Sequence, residues 1–588
     1  MEHKTYRVSA IIRIVCIFAL CVTWGVQSQE TIKKSDKKIG LVLSGGGAKG
    51  LAHIGALKVI EEAGVKIDYI GGTSMGAIIG ALYASGYSAD QLDSMFRATN
   101  FSKLIQDNLP RSAKTFYEKE DSERYALTLP FDGFKVSVPP AYSGGQNIYN
   151  EMVRLLYHVK DVKDFSKLPI PFVCIATDIE TGNEVVFNSG YLPEVIMASG
   201  TFPSLFEPVT IDGKVLIDGG VVNNYPIEKV RDMGADIIIG VDVQHGLSNR
   251  ESLLSATEIL LQINNFQGVA DMVEKVEDTD IYIKPEIEKY TVIEFNKANE
   301  IVKTGELAAI AKYNELQQLS SEIDNSKPIV APIQATDSII INRLIISGDT
   351  THTRGYVKGK LRFKLGEPIT FNKLKQGIGN LSATGNFNTN RYKLISNGIG
   401  DDLILSLDES ANTAFFRVGA HYDDLYKSAA ILNFTKKNLL VIDDRASIDF
   451  ILGDNPRYNF EYYIDKGSYW SFGINSRYNN FEQEIAFDII EDNFEVPSGV
   501  NINNINLDIT DVTSQLYIQT VLREEFAFTL GAEHKFLKFS TRTLGDLTEG
   551  NSLAGPSVVP VNDSRGRTFF EKSNFYSVFG RLKLDTYD

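Results

Sequence analysis

Lys66-Ile67-Asp68-Tyr69-Ile70-Gly71-Gly72-Thr73-Ser74-Met75-Gly76-Ala77-Ile78-Ile79-Gly80 reads as an apolar strand, a sharp turn and an apolar helix in direct succession. The strand is placed at Lys66 to Ile70 and the helix at about Ala77 to Ser85, with the Gly-x-Ser-x-Gly pentapeptide Gly72-Thr73-Ser74-Met75-Gly76 between them. Glycine allows the bend where a Cβ would clash, so a serine on such a turn stands exposed. The helix start behind it favours developing negative charge. The same small-residue pattern also serves ordinary tight βα turns, so the pentapeptide alone leaves a nucleophile and a plain loop both open.

Two further segments bear on that choice. Upstream, Ile39-Gly40-Leu41-Val42-Leu43-Ser44 reads as a buried parallel strand, followed by Gly45-Gly46-Gly47-Ala48-Lys49-Gly50 and a helix from about Leu51 to Ala63. A glycine-rich turn at a helix start aims several backbone N–H groups at one point, which suits a phosphate or an oxyanion. Gly45, Gly47 and Gly50 formally match a dinucleotide fingerprint, but Asp68 sits at the start of its strand, just before the serine turn, and makes an unconvincing ribose acid. Lys49-Gly50-Leu51 also fails the Gly-Lys-Ser/Thr ending of a nucleotide-binding P-loop. Downstream, Leu216-Ile217-Asp218-Gly219-Gly220 ends an apolar strand on an aspartate, which either points into a cleft or caps its own turn.

The three segments together, in this order, resemble the patatin-like phospholipase family over residues 36–320, and Ala198-Ser199-Gly200-Thr201-Phe202-Pro203 is similar to the Ala-Ser-x-x-x-Pro stretch that precedes that family's aspartate strand. The resemblance implies a three-layer α/β domain with a mainly parallel sheet. It also implies a Ser-Asp dyad in which Ser74 attacks an ester carbonyl and Asp218 accepts its proton. The loop Gly45, Gly46, Gly47 and Ala48 would form the oxyanion hole, the amides of Gly46, Gly47 and Ala48 being the expected donors. Loss of one such donor typically raises the barrier by about 3–4 kcal/mol. A carboxylate base works best with its pKa raised toward the working pH, so Asp218 is expected to be partly buried. His53 is the one histidine near enough in sequence to compete as base, though packing against the loop or bonding to backbone is the plainer role for it. Lys49 is either a solvated surface charge or a contact for an anionic lipid head group.

Residues 1–28 carry Lys4, Arg7 and Arg13 ahead of the apolar run Ile14 to Trp24, then Val26-Gln27-Ser28. This is the pattern of a secretion signal, with an uncleaved anchor as the alternative. Cys16 and Cys21 lie in that segment, which leaves Cys174 in the apolar strand Pro171 to Ala176 as a small core residue. Export without disulfides suits a bacterial envelope protein.

A chain of 588 residues calls for several domains. The polar stretch Ser320 to Pro328 reads as a linker. Over 335–410 the pattern strand, two helices, two strands resembles a POTRA domain, the α+β module that precedes many outer-membrane barrels, an unrelated small α+β domain being the alternative. From 411 to 588 the texture alternates: Tyr458, Phe460, Tyr462 and Ile464 against Asn459, Glu461, Tyr463 and Asp465, with the same device at Ala446 to Gly453, Trp470 to Asn475 and Phe526 to Ala532. Period-two segments separated by Asn, Asp and Gly turns are the pattern of an antiparallel transmembrane β-barrel, with a soluble sandwich as the competitor. Roughly nine strands, an odd count, and an end without a terminal aromatic lead to the expectation of an incomplete barrel.

The net charge of −16 argues against nucleic acid. No metal-ligand spacing is evident and no cofactor is expected. The reading is an exported outer-membrane serine acyl hydrolase. Its substrate is a phospholipid or other lipid ester, and its barrel is inserted by the barrel-assembly machinery. Two other readings stand beside it: a translocation or assembly protein whose α/β domain only binds lipid, and a soluble esterase with a β-rich appendage. Residues 110–147, with Pro110, Pro130, Pro139 and Pro140, are read as a lid or as ordinary surface loop.

Overall fold

The computed structural model describes residues 36–132, 135–136, 141–247, 250, 256–323, 333, 336–348, 351–467, 470–489, 503–523, 526–541 and 568–585. The proposed secretion signal lies outside them.

Ile39–Leu43 and Tyr69–Thr73 pair in parallel at the centre of an eight-stranded sheet. Ile237–Val241 and then Ile281–Ile283 extend it on one side, also in parallel, and Phe172–Asp178 continues it on the other. Beyond Phe172–Asp178 the sheet turns antiparallel, through Lys214–Asp218 and Val209–Ile211. Ile39, Leu41, Val42 and Leu43 are wholly buried, as a parallel strand covered by helices on both faces must be. The helices Ala52–Glu62, Met75–Ala84 and Ala298–Ile310 supply much of that cover. Cys174 is buried in its strand as the sequence suggests. Ser320, read as the start of a linker, instead closes the helix Tyr313–Glu322: its Oγ donates to Gly64 O at 2.9 Å, and Leu319 and Ile323 are buried around it. The segment 324–328 lies outside the described residues.

Ser338–Ser347, Arg354–Leu361, Phe371–Ala383, Phe387–Ser396 and Asp401–Glu409 form the strand-helix-helix-strand-strand unit read from the sequence, with a short edge strand, Pro368–Thr370, added. Ser338–Ser347 runs parallel to Asp401–Glu409, which pairs antiparallel with Phe387–Ser396. This unit shares a core with the α/β domain. Tyr149 packs edge-on to Tyr392 and donates its hydroxyl to Tyr392 O at 2.6 Å, among Val153, Tyr191, Met197 and Leu394.

The remaining strands, from Ala414–Asp423 to Thr568–Leu584, make one antiparallel meander. Its polarity is inverted relative to a soluble sheet. In Asp444–Gly453, Arg445, Ser447 and Asp449 are buried, whereas Phe450 and Leu452 are about half exposed (46% and 51%). Phe472, Ile474, Leu516 and Leu530 continue the exposed apolar face on neighbouring strands. Apolar outside and polar inside is the arrangement of a barrel wall, and the soluble-sandwich reading fails on it. No helix among the described residues is long and apolar enough to cross a membrane.

One expectation is overturned. The segment 110–147 is neither a lid nor a free surface loop over the part described. Phe116–Arg124 is a helix lying against the polar face of this sheet, and Leu127–Asp132 joins the sheet itself by pairing antiparallel with Ala414–Asp423. Lys135–Val136 completes its ten strands. Strand pairing between segments so distant in sequence is invisible to local pattern, which is why the excursion read as a loop.

Candidate active site

Strand Tyr69–Thr73 delivers Ser74 to the sheet's carboxyl edge, and helix Met75–Ala84 starts immediately after it. Ser74 has φ +56°, a conformation that non-glycine residues adopt at a cost of about 1–3 kcal/mol and that concentrates at functional turns. The strain is held by its surroundings. Ser74 N–H donates to the Oγ of buried Ser199 at 3.0 Å, and Thr73 Oγ1 donates to Asn223 O at 2.9 Å. A Cβ on Gly76 would lie 2.2 Å from Leu43 O, so only glycine lets this helix start against the central strand.

Asp218 ends strand Lys214–Asp218, and the Gly219-Gly220 turn aims its carboxylate back across the sheet edge. Ser74 Oγ donates to Asp218 Oδ2 at 2.6 Å, and Gly220 N–H donates to Oδ1 at 2.7 Å. Thr177 Oγ1 donates to the Asp218 backbone O at 2.9 Å and pins the strand end. The aspartate therefore caps its own turn and also reaches the serine; the two readings left open by the sequence coexist. Burial pushes its carboxyl up to about 6, while the Ser74 hydroxyl and the Gly220 amide pull the other way.

The glycine loop runs beside Ser74: a Cβ on Gly45 would come within 2.9 Å of Ser74 Cβ. Its amides are not equivalent. Gly45 N–H donates to Asn224, side chain and backbone, and Ala48 N–H donates to Val292 O at 2.8 Å. Gly46 and Gly47 have no recorded amide partner among the described residues. Gly47 has φ +55°, and a Cβ there would sit 2.4 Å from Val292 O, so the loop's path depends on that glycine. Asn224 clamps the loop from the other side. Its Oδ1 accepts from Gly45 N–H at 3.1 Å, and its Nδ2 donates to Gly45 O and Gln244 Oε1. Sequence reasoning assigned no role to Ser199, which stands inside a quoted motif, or to Asn224, just past the Asp218 turn; their partners come from distant segments.

His53 is buried and its Nε2 bonds Ser44 O at 2.8 Å, away from Ser74. Burial lowers it to about 4, which keeps the ring neutral. It supports the loop strand through backbone, the plainer of its two expected roles. Lys49 is only 5% exposed, and burial lowers its ammonium to about 8. It is therefore no solvated surface charge. A cavity of about 580 Å3 lies elsewhere, between the α/β and α+β domains, where Asp107, Asn150, Glu207, Lys373 and Thr389 line it; neither Ser74 nor Asp218 does. No cluster of potential metal ligands occurs among the described residues.

Residues 41–231 match the profile of the family described as patatin-like phospholipase, and residues 401–588 match that of the OMP85 superfamily. The chain thus carries an α/β domain of the first kind and a barrel domain of the second. Similar curated proteins include the lysophospholipase NTE1 of Coccidioides immitis, 32% identical over 46% of this chain and 17% of that protein. The corresponding lysophospholipase of Pyricularia oryzae is 30% identical over 46% of this chain and 18% of that protein. The chain therefore spans less than a fifth of the length of these relatives. Among solved structures, VipD of Legionella pneumophila matches with TM-score 0.29 and 16% identity, over 48% of this chain and 68% of VipD. BamA of Haemophilus ducreyi matches with TM-score 0.28 and 13% identity, over 42% of this chain and 44% of that one.

Proposed function

We propose that this two-part chain, a patatin-like hydrolase domain joined to an OMP85-type barrel, is an outer-membrane phospholipase acting through Ser74 and Asp218. The observation that carries the reading is the 2.6 Å bond from Ser74 Oγ to the buried, raised carboxylate of Asp218. Ser74 Oγ attacks the acyl carbonyl, and its proton passes to Asp218 Oδ2. The carbonyl oxygen, now negative, is received by the amides of Gly46 and Gly47. The tetrahedral centre collapses, the C–O bond to the glycerol breaks, and Asp218 returns its proton to the leaving alkoxide. Water, deprotonated by the same carboxylate, then cleaves the acyl-enzyme. Lys49, buried beside the loop, is assigned to the anionic head group. The similarity to named lysophospholipases supports a phospholipid substrate.

The α+β unit is assigned as a POTRA-like domain, and the hydrolase domain is placed on the periplasmic side. Two observations support that side. Lys437 Nζ donates to Thr384 O, and Lys360 pairs with Asp465, so the strand ends at Lys437 and Ile464 abut the α+β unit. Ala486 and Asn504, and Thr541 and Thr568, the consecutive strand ends separated by the most sequence, lie at the other end of the strands. Bacterial barrels put short turns in the periplasm and long loops outside.

The test is a serine-reactive phosphonate on the full chain, with modified peptides mapped by mass spectrometry, alongside phospholipid turnover. Label on Ser74, turnover lost in Ser74→Ala, and a large loss of kcat in Gly47→Ala, whose methyl would meet Val292 O and displace the donor amide, are expected. A folded protein that neither labels nor turns over any lipid ester would leave the α/β domain as a lipid-binding module.

A further inference from the structure

The helix Phe116–Arg124 has an unusual sequence for its position. Glu118, Lys119, Glu120, Asp121, Glu123 and Arg124 make six of its nine residues charged, and no apolar stripe runs along it. A helix polar on all sides is held in place by partners rather than by a greasy face. Those partners come from the inner face of the barrel sheet, and from both of its ends. Asp121 accepts from Arg417 at 3.2 Å, on the first strand of the meander, and from Arg445 at 2.6 Å, two strands on. Arg124 pairs with Asp449 at 2.9 Å, and the Tyr125 hydroxyl donates to the same carboxylate. At the far end of the sheet, Lys119 reaches Asp585 at 2.7 Å, Arg111 reaches it at 3.2 Å, and Glu120 pairs with Lys583. The sheet curls around this helix.

The chain then leaves by the wall. After Arg124 it reverses at Tyr125-Ala126, and Leu127 to Pro130 pair antiparallel with Val418 to Phe415. The inner face that the helix covers, including Arg417, Asn433, Thr435, Ser447 and Asp449, is polar and would otherwise line an aqueous bore.

We propose that residues 111–126 are an intramolecular stopper: an excursion from the hydrolase domain that fills the barrel lumen, closes it to ions and small solutes and, through the strand Leu127–Asp132 paired into the wall, locks the hydrolase domain to the barrel. The matched charges are what make the seat specific, because each buried ion would be costly without its counterion. While the stopper is seated, the barrel is an anchor for the hydrolase domain and not its exit route. This rests on the barrel reading and is independent of the hydrolytic one.

The experiment is single-channel conductance of the full chain in planar bilayers, with heat-modifiable gel migration as the readout of barrel folding. Wild type is expected to be closed. Asp121→Lys, which sets a cation against Arg417 and Arg445, is expected to raise mean conductance at least about tenfold at unchanged barrel migration, as expulsion of a charge-matched helix by like charges requires. A wild type that conducts as a wide open pore overturns the proposal, as does a folded Asp121→Lys barrel that stays as silent as wild type. Should Asp121→Lys fail to fold, the register pair decides. Leu129→Cys with Phe416→Cys must form a disulfide on oxidation in membranes, whereas either single variant must not. Absence of that crosslink in a folded barrel overturns the proposal.

Discussion

The two large sheets of this molecule use the two faces of a strand differently. In the hydrolase domain, Leu41 and Val42 point to opposite faces and both are at 0% exposure, because helices cover both sides. In the barrel, Asp449 is buried and Phe450 beside it is exposed. Ile39–Leu43 is apolar on both faces, whereas Asp444–Gly453 alternates polar and apolar residues, and the difference follows the surroundings each face meets. Water surrounds the first, so everything apolar goes inside. Hydrocarbon surrounds the second, so apolar side chains go out and charges are driven into the lumen, where they need partners. The stopper helix supplies several of them.

The comparison can be broken by placing one cation in each sheet. Val42→Arg puts an unpaired charge into a closed core, and the hydrolase domain is expected not to fold. Such a burial costs more than the about 5–15 kcal/mol that holds a typical domain together unless the structure rearranges. Loss of phospholipid turnover and of the domain's thermal transition, with barrel migration retained, is the expected result. A stable, active Val42→Arg protein would mean that the central strand is open to water.

A smaller effect is expected at Leu516→Arg, on the outward face. In a bilayer an arginine near mid-depth costs about 2–4 kcal/mol, so folding into vesicles should shift by that amount in a urea titration. In an aqueous β-rich appendage the same substitution would be neutral or would improve solubility. Leu516→Arg therefore separates the membrane barrel from the soluble esterase in one variant. The neighbouring Gln515→Leu, on the inner face, should move stability in water-filled and lipid-filled readings alike by removing the Gln515–Glu533 hydrogen bond.

How far the chain could be read without its structure follows from how local each signal is. The Ser74 turn, the Gly45 to Ala48 loop and the Asp218 turn each declare themselves within a few residues, because a backbone bend and its glycine sit together. Alternation in Asp444–Gly453 is equally local. What escaped is everything whose meaning lies with a distant partner. Ala48 is an expected oxyanion donor with Gly46 and Gly47, but Val292 O takes its amide. Leu127 to Asp132, short and carrying a proline, looked like loop until Ala414–Asp423 paired with it. The stopper helix does carry a local clue, six charged residues in nine with no apolar stripe.

The smallest effect tests the sharpest contrast between the regions, that of their buried carboxylates. Asp449 has the Arg124 guanidinium beside it. Asp218 is 6% exposed and its recorded partners are a hydroxyl and an amide, with no cation. Burial therefore raises its carboxyl to about 6. The native state holds that proton more tightly than the unfolded chain does, so the stability that the protonated form confers is present below about pH 4 and is lost as pH rises through about 6. A rise of about two units corresponds to about 3 kcal/mol. Asp218→Asn removes the charge and keeps a hydrogen-bonding group beside Ser74. The variant is expected to match wild type in local stability at pH 4 and to exceed it by about 2–3 kcal/mol at pH 7.5, read by hydrogen exchange in the strands around residue 218. It is expected to lose phospholipid turnover at both. In wild type, kcat/KM should fall tenfold per pH unit below about 6, because the base is then protonated. A gain in stability that ignores pH, or turnover that survives in the asparagine variant, would show that this carboxylate is merely another structural cap and that the serine takes its base from elsewhere.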